Sequence, residues 1–142
     1  MLFRSAVAMP ENFIVQGGLA FLFERLGSSE KADGQIAKAR EYYDKALGIY
    51  QKWTKKILEN VEAQKDLSDL YHELGDLELK DCNIKAALEW FEKALEVLQR
   101  LVDKSPNNAE YQKDLAETQE KIAQAKKQPW YVALFNKLFG RG

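Results

Sequence analysis

Apolar residues recur at steps of three and four along most of the chain, with charged residues between them. Over 61–80, Leu67, Leu70, Tyr71, Leu74 and Gly75 share one helical face and the charges fall mostly opposite, which predicts a helix. Asp81-Cys82-Asn83 interrupts the pattern with turn-prone residues, and Ile84, Ala87, Leu88, Phe91, Ala94, Leu95 and Leu98 resume it over about 83–104. Two amphipathic helices joined by so short a link predict an antiparallel hairpin.

The pattern is written twice. NVEAQKDL (Asn60 to Leu67) returns as NAEYQKDL (Asn108 to Leu115), and aligning 23–67 with 71–115 gives 18 identities in 45 positions. Background matching at roughly one in sixteen would give about three, so the chain carries an internal repeat of 48 residues. Its bounds are about 13–60 and 61–108, followed by a half repeat at about 109–128 and a short helix at 129–139. In the half repeat, Gln119 and Ala123 stand where the aromatic and the glycine stood, and Pro129 ends it. Asn60 and Asn108 suit N-caps of the helices that follow, and Glu62 and Glu110 suit their first turns. Gly27 and Gly75 occupy matching mid-helix positions, where glycine costs about 1 kcal/mol against alanine. Close approach of the paired helix, which is small at Ala87 and Ala94 while Tyr71 and Phe91 fill the flanking space, supplies the reason.

Tyr71, Leu74-Gly75, Ala87, Phe91 and Ala94, and again Phe23, Leu26-Gly27, Ala39, Tyr43 and Ala46, resemble the tetratricopeptide (TPR) repeat pattern. The usual TPR period is about 34 residues, so a period of 48 is similar to a long-helix variety found in bacterial repeat proteins. Glu30 and Glu78 depart from the pattern, standing where an aromatic is usual. The resemblance implies an all-α fold: antiparallel helical hairpins stacked as a short right-handed superhelix, about two and a half repeats in one domain over 1–142. It also implies a non-catalytic protein–protein interaction module, an adaptor or scaffold taking a peptide or helix on the concave face of the first helix of each hairpin.

Composition narrows the chemistry. Acids and bases nearly cancel, at 22 against 21, so no overall basic field recruits nucleic acid. Cys82 and His72 are the only residues of their kinds, which excludes an intrachain disulfide and argues against a Cys/His metal site. A cytoplasmic setting is expected. Ile14 to Phe23 is too short and too broken by Gln16, Gly17 and Gly18 to span a membrane, and no leader-like segment opens the chain. His72 lacks the companions that a general base needs, so no catalytic residue, cofactor or metal is expected.

Three surfaces remain as candidates. The concave-face stripe is Glu24 and Ser28 in the first repeat, Asp69, His72, Asp76 and Lys80 in the second, and Glu117, Glu120 and Gln124 in the third. Acids dominate it, which suits a basic or amphipathic partner, and Glu24, His72, Asp76 and Glu120 are not the lysines and asparagines with which one TPR subset grips chaperone termini. The same charges also serve as an ordinary solvated face, and Lys65, Lys80 and Lys113 dilute the acidity.

The second surface is on the first helix. Its expected core stripe of Val15, Leu19, Leu22, Phe23 and Leu26 is joined by a second apolar stripe of Phe13, Ile14, Ala20 and Phe21. Residues 1–9 folding back, a partner, or a second copy making a homo-oligomer would cover that stripe. The third is the C-terminal segment, where Trp130, Tyr131, Leu134, Phe135, Leu138 and Phe139 lie among Lys126, Lys127, Lys137 and Arg141. It is expected to cap the stack, with a peripheral membrane anchor for an assembly factor as the alternative.

Overall fold

The computed structural model describes residues 11–127 and 130–139; the segment 1–9, one expected cover for the first helix, lies outside them. All regular elements among the described residues are helices: α1 (Glu11–Ala32), α2 (Ile36–Lys52), α3 (Thr54–Leu58), α4 (Val61–Lys80), α5 (Ile84–Lys104), α6 (Ala109–Lys127) and α7 (Trp130–Leu138). The chain forms two compact units that divide near the start of α4, residues 1–63 and 64–142.

In the first unit α1 and α2 form an antiparallel hairpin. Ala39, Tyr43, Ala46 and Tyr50 line the buried face of α2. Opposite them, α1 buries Phe13, Ala20 and Gly27, each seven residues from the next. A Cβ on Gly27 would sit 2.6 Å from the Tyr43 ring, so the glycine is the space into which that ring packs. This corrects the expected core stripe. Val15 and Leu22 are 61% and 57% exposed, and Leu19 and Leu26 are exposed as well. The inward face is the one α4 also uses, where Ser68 and Gly75, the counterparts of Ala20 and Gly27, are buried; the hairpins differ in that Leu70 and Leu74 are buried while Leu22 and Leu26 are exposed. Phe13, expected on the second stripe, is buried against the edge of Trp53 at 5.3 Å.

The second unit repeats the hairpin. Leu70, Leu74 and Leu77 of α4 are buried, and a Cβ on Gly75 would lie 2.4 Å from the Phe91 ring. Phe91 and Ala87 of α5 reach Ile122 of α6, while Val97, Leu98 and Leu101 pack with Tyr71, Tyr111 and Leu115. These contacts run α5 antiparallel to both neighbours, so α4 and α6 point the same way.

The links explain the helix ends. Gly34 and Cys82 both have left-handed backbone, φ 77° and 60°. Gln35 N–H donates to Glu30 O and Asn83 N–H to Glu78 O, both at 2.8 Å, closing each helix with the same C-terminal motif. Asn60 and Asn108 accept from the backbone N–H of Ala63 and Tyr111 at 2.9 and 3.0 Å, as N-caps do. One element departs from the repeat. α5 is continuous to Lys104, whereas its counterpart is split at Trp53, whose N–H is shared between Ile49 O and Tyr50 O. The tightened turn goes with Trp53 seating its ring on Phe13, where the second repeat has Leu101.

Candidate functional site

α4 and α6 carry most of the expected partner-binding residues. Because the two helices run parallel, residues at matching heights meet across them. Lys65 of α4 lies 2.9 Å from Asp69 one turn along and 3.1 Å from Asp114 of α6. Higher up, Lys121 of α6 donates to Asp76 of α4 at 2.7 Å, and His72 Nδ1 lies 3.6 Å from the same carboxylate. The His72 ring also meets the Phe91 ring edge-on at 5.4 Å, so the surface network rests on the core.

Burial disfavours the Lys65 ammonium, but hydrogen bonds and charge from Asp69 and Asp114 outweigh it and hold its pKa above the usual lysine range. The Asp69 carboxyl is shifted upward, chiefly by burial and partly by the charge of Asp114, with Lys65 and His72 opposing. The expected acidic stripe is therefore a mixed network, with Lys65 between the carboxylates of Asp69 and Asp114 at one height and Asp76 between Lys121 and the His72 ring at the next. Lys80, Glu117, Glu120 and Gln124 remain exposed at its rim. Glu117 stands 4.0 Å from Lys113, and Glu117, Glu120, Lys121 and Gln124 line a shallow open depression.

In the first unit, Tyr50 Oη donates to Glu24 at 3.0 Å, and Ser28 Oγ and Tyr43 Oη lie 3.0 Å apart. Both side chains thus meet tyrosine hydroxyls of α2, for which the second repeat has Phe91 and Leu98, without hydroxyls.

The two apolar surfaces are open. On α1, Ile14 and Phe21 are 46% and 55% exposed. On α7, Tyr131, Leu134, Phe135 and Leu138 are exposed, as is Phe139 just after it. Phe135 and Phe139 stack on each other at 4.6 Å, one turn apart.

A feature missed in the sequence recurs in both units. Phe23 stacks on Tyr42 at 6.3 Å with Lys45 over both rings, and Tyr71 stacks on Trp90 at 5.8 Å with Lys93 over Trp90. The identity of Lys45 with Lys93, and the aromatic pair Tyr42/Trp90, was the available signal. These stacks brace each hairpin on its outer side.

No group of three or more His, Cys, Asp or Glu side chains among the described residues is arranged to hold a metal ion. No described helix is long and apolar enough to cross a membrane. No family model, no curated protein and no solved structure matches the chain.

Proposed function

We propose that this chain is a non-catalytic, TPR-like protein-interaction module that takes a partner peptide or helix on the open face shared by α4 and α6. The observation that carries the reading is the parallel pairing of these helices through two cross-helix ion pairs, Lys65 to Asp114 and Lys121 to Asp76. That pairing fixes two rows of side chains at constant spacing, and such a rigid polar surface positions a ligand without ordering cost. Glu117, Glu120 and Gln124 at the rim offer acceptors to a basic or amphipathic segment.

The test uses the immobilised chain and an extract of its source cells. Glu117→Lys/Glu120→Lys reverses rim charge without touching either bridging lysine, and Glu92→Lys on the exposed side of α5 is the control. A partner retained by wild type and by the control, and lost from the double variant, supports the proposal. Identical capture by all three removes it.

A second reading is favoured by the exposure of α7. Its five exposed apolar side chains fall within an arc of about 140° at 100° per residue, with Lys126 and Lys127 just before it and Lys137 on it. This is the composition of a segment resting on an anionic membrane surface. Co-sedimentation with anionic vesicles that is lost in Phe135→Ala/Leu138→Ala supports it, and no retention of the wild-type chain excludes it.

A further inference from the structure

We infer that the outward face of α1 is a self-association surface on which a second copy of this chain docks its own α1, antiparallel and crossing at Gly18. The internal repeat exposes the anomaly. At four positions spaced by four, three and four, the second repeat has Glu62, Asp66, Asp69 and Glu73, and the third has Glu110, Asp114, Glu117 and Lys121. All eight are charged. The first repeat has Ile14, Gly18, Phe21 and Arg25 along the same line. Beside this line run Val15, Leu19, Leu22 and Leu26, exposed here, while Leu70 and Leu74, the counterparts of Leu22 and Leu26, are buried. At 100° per residue the combined apolar face spans about 160° of α1, on the side away from α2.

Area, packing shape and charge each select a second copy as the occupant. The six exposed apolar side chains offer roughly 600 Å² per chain, so a symmetric pair that covered them fully would bury up to about 1,200 Å², the lower edge of a stable interface. Gly27 and Gly75 each have an aromatic ring where a Cβ would go, whereas Gly17 and Gly18 have nothing within 4 Å, and of these two Gly18 lies in the middle of the apolar face. An α1 helix of another copy crossing there would supply the close neighbour that those two glycines find within the chain.

Charge then sets the direction. Arg25, whose guanidinium lies 5.8 Å over the Phe21 ring, is the cation on this face. A parallel pair would bring the two Arg25 side chains together. An antiparallel pair with its two-fold at Gly18 holds them about 14 residues, or roughly 21 Å, apart along the axis and sets Ile14 against Leu22 of the other copy. The inference is independent of the binding role of α4 and α6, and its failure leaves that role untouched.

Sedimentation velocity of the full chain over a concentration series tests it. Wild type is expected to approach twice the single-chain mass, and Phe21→Glu/Leu22→Glu to weaken the dimer at least tenfold while far-ultraviolet circular dichroism stays unchanged, since both side chains are already exposed. In a Cys82→Ser background, Gly18→Cys is expected to cross-link between copies on oxidation, and Arg25→Cys is not. A wild-type monomer at about 100 µM, as residues 1–9 covering the face would give, overturns the proposal. So does a dimer that persists in the double variant, or cross-linking at Arg25→Cys without Gly18→Cys.

Discussion

Gly27 and Gly75 show how one missing methyl group organises a hairpin. Each lies under an aromatic ring of zero exposure, Tyr43 and Phe91, so an added Cβ meets a side chain that cannot retreat. Gly75→Ala should cost about 1 to 3 kcal/mol in denaturant unfolding, because overpacking exceeds the gain in helix propensity. Gly48→Ala, where a Cβ meets nothing within 4 Å, should instead gain up to about 1 kcal/mol. At the turns the preference reverses. Cys82 holds the left-handed conformation that Gly34 holds in the first repeat, at a cost of roughly 1 kcal/mol for a side chain. Cys82→Gly should therefore raise the melting temperature, and Gly34→Ala should lower it.

Among elements, α4 and α6 are joined by charges whose pH dependence has a defined sign. Lys65 has a folded-state pKa raised above its unfolded value near 10.5, so its contribution to stability is complete below that value and is lost as pH rises through the folded pKa. The stability difference between wild type and Lys65→Met should accordingly be constant at neutral pH and shrink above about pH 10.5, measured by urea unfolding. A difference that stays level into strong alkali would show that the methylene stem of Lys65, and not its charge, matters. The cap of α6 is separable: Asn108→Ala should cost about 1 kcal/mol without altering that pH profile.

Helix existence and hairpin pairing were legible in the sequence because the repeat presents each pattern twice, so Gly27, Gly75, Asn60 and Asn108 could be read by comparison. Helix rotation in α1 was not. Its apolar residues surround the axis, and periodicity cannot decide which of them faces a partner; Gly27 packs under Tyr43 as Gly75 does under Phe91, and only the cover of Leu22 and Leu26 differs from that of Leu70 and Leu74. The hydroxyls of Tyr43 and Tyr50 hold Ser28 and Glu24. The cross-helix pairing of Lys65 and Lys121 was equally hidden, since it depends on the relative height of α4 and α6 and each helix alone shows only a charged face.

For the molecule as a whole, faces divide the labour: the glycine-based seam builds each hairpin, and the polar face of α4 and α6 is the surface proposed to receive a partner. A photoactivatable cross-linker placed at Glu120, and in a second sample at Glu92 on α5, tests this most directly in an extract of the source cells. A discrete adduct at Glu120, absent at Glu92 and abolished by Glu117→Lys, is the predicted result. Adducts only at Glu92, or none at Glu120 at any concentration, would contradict it.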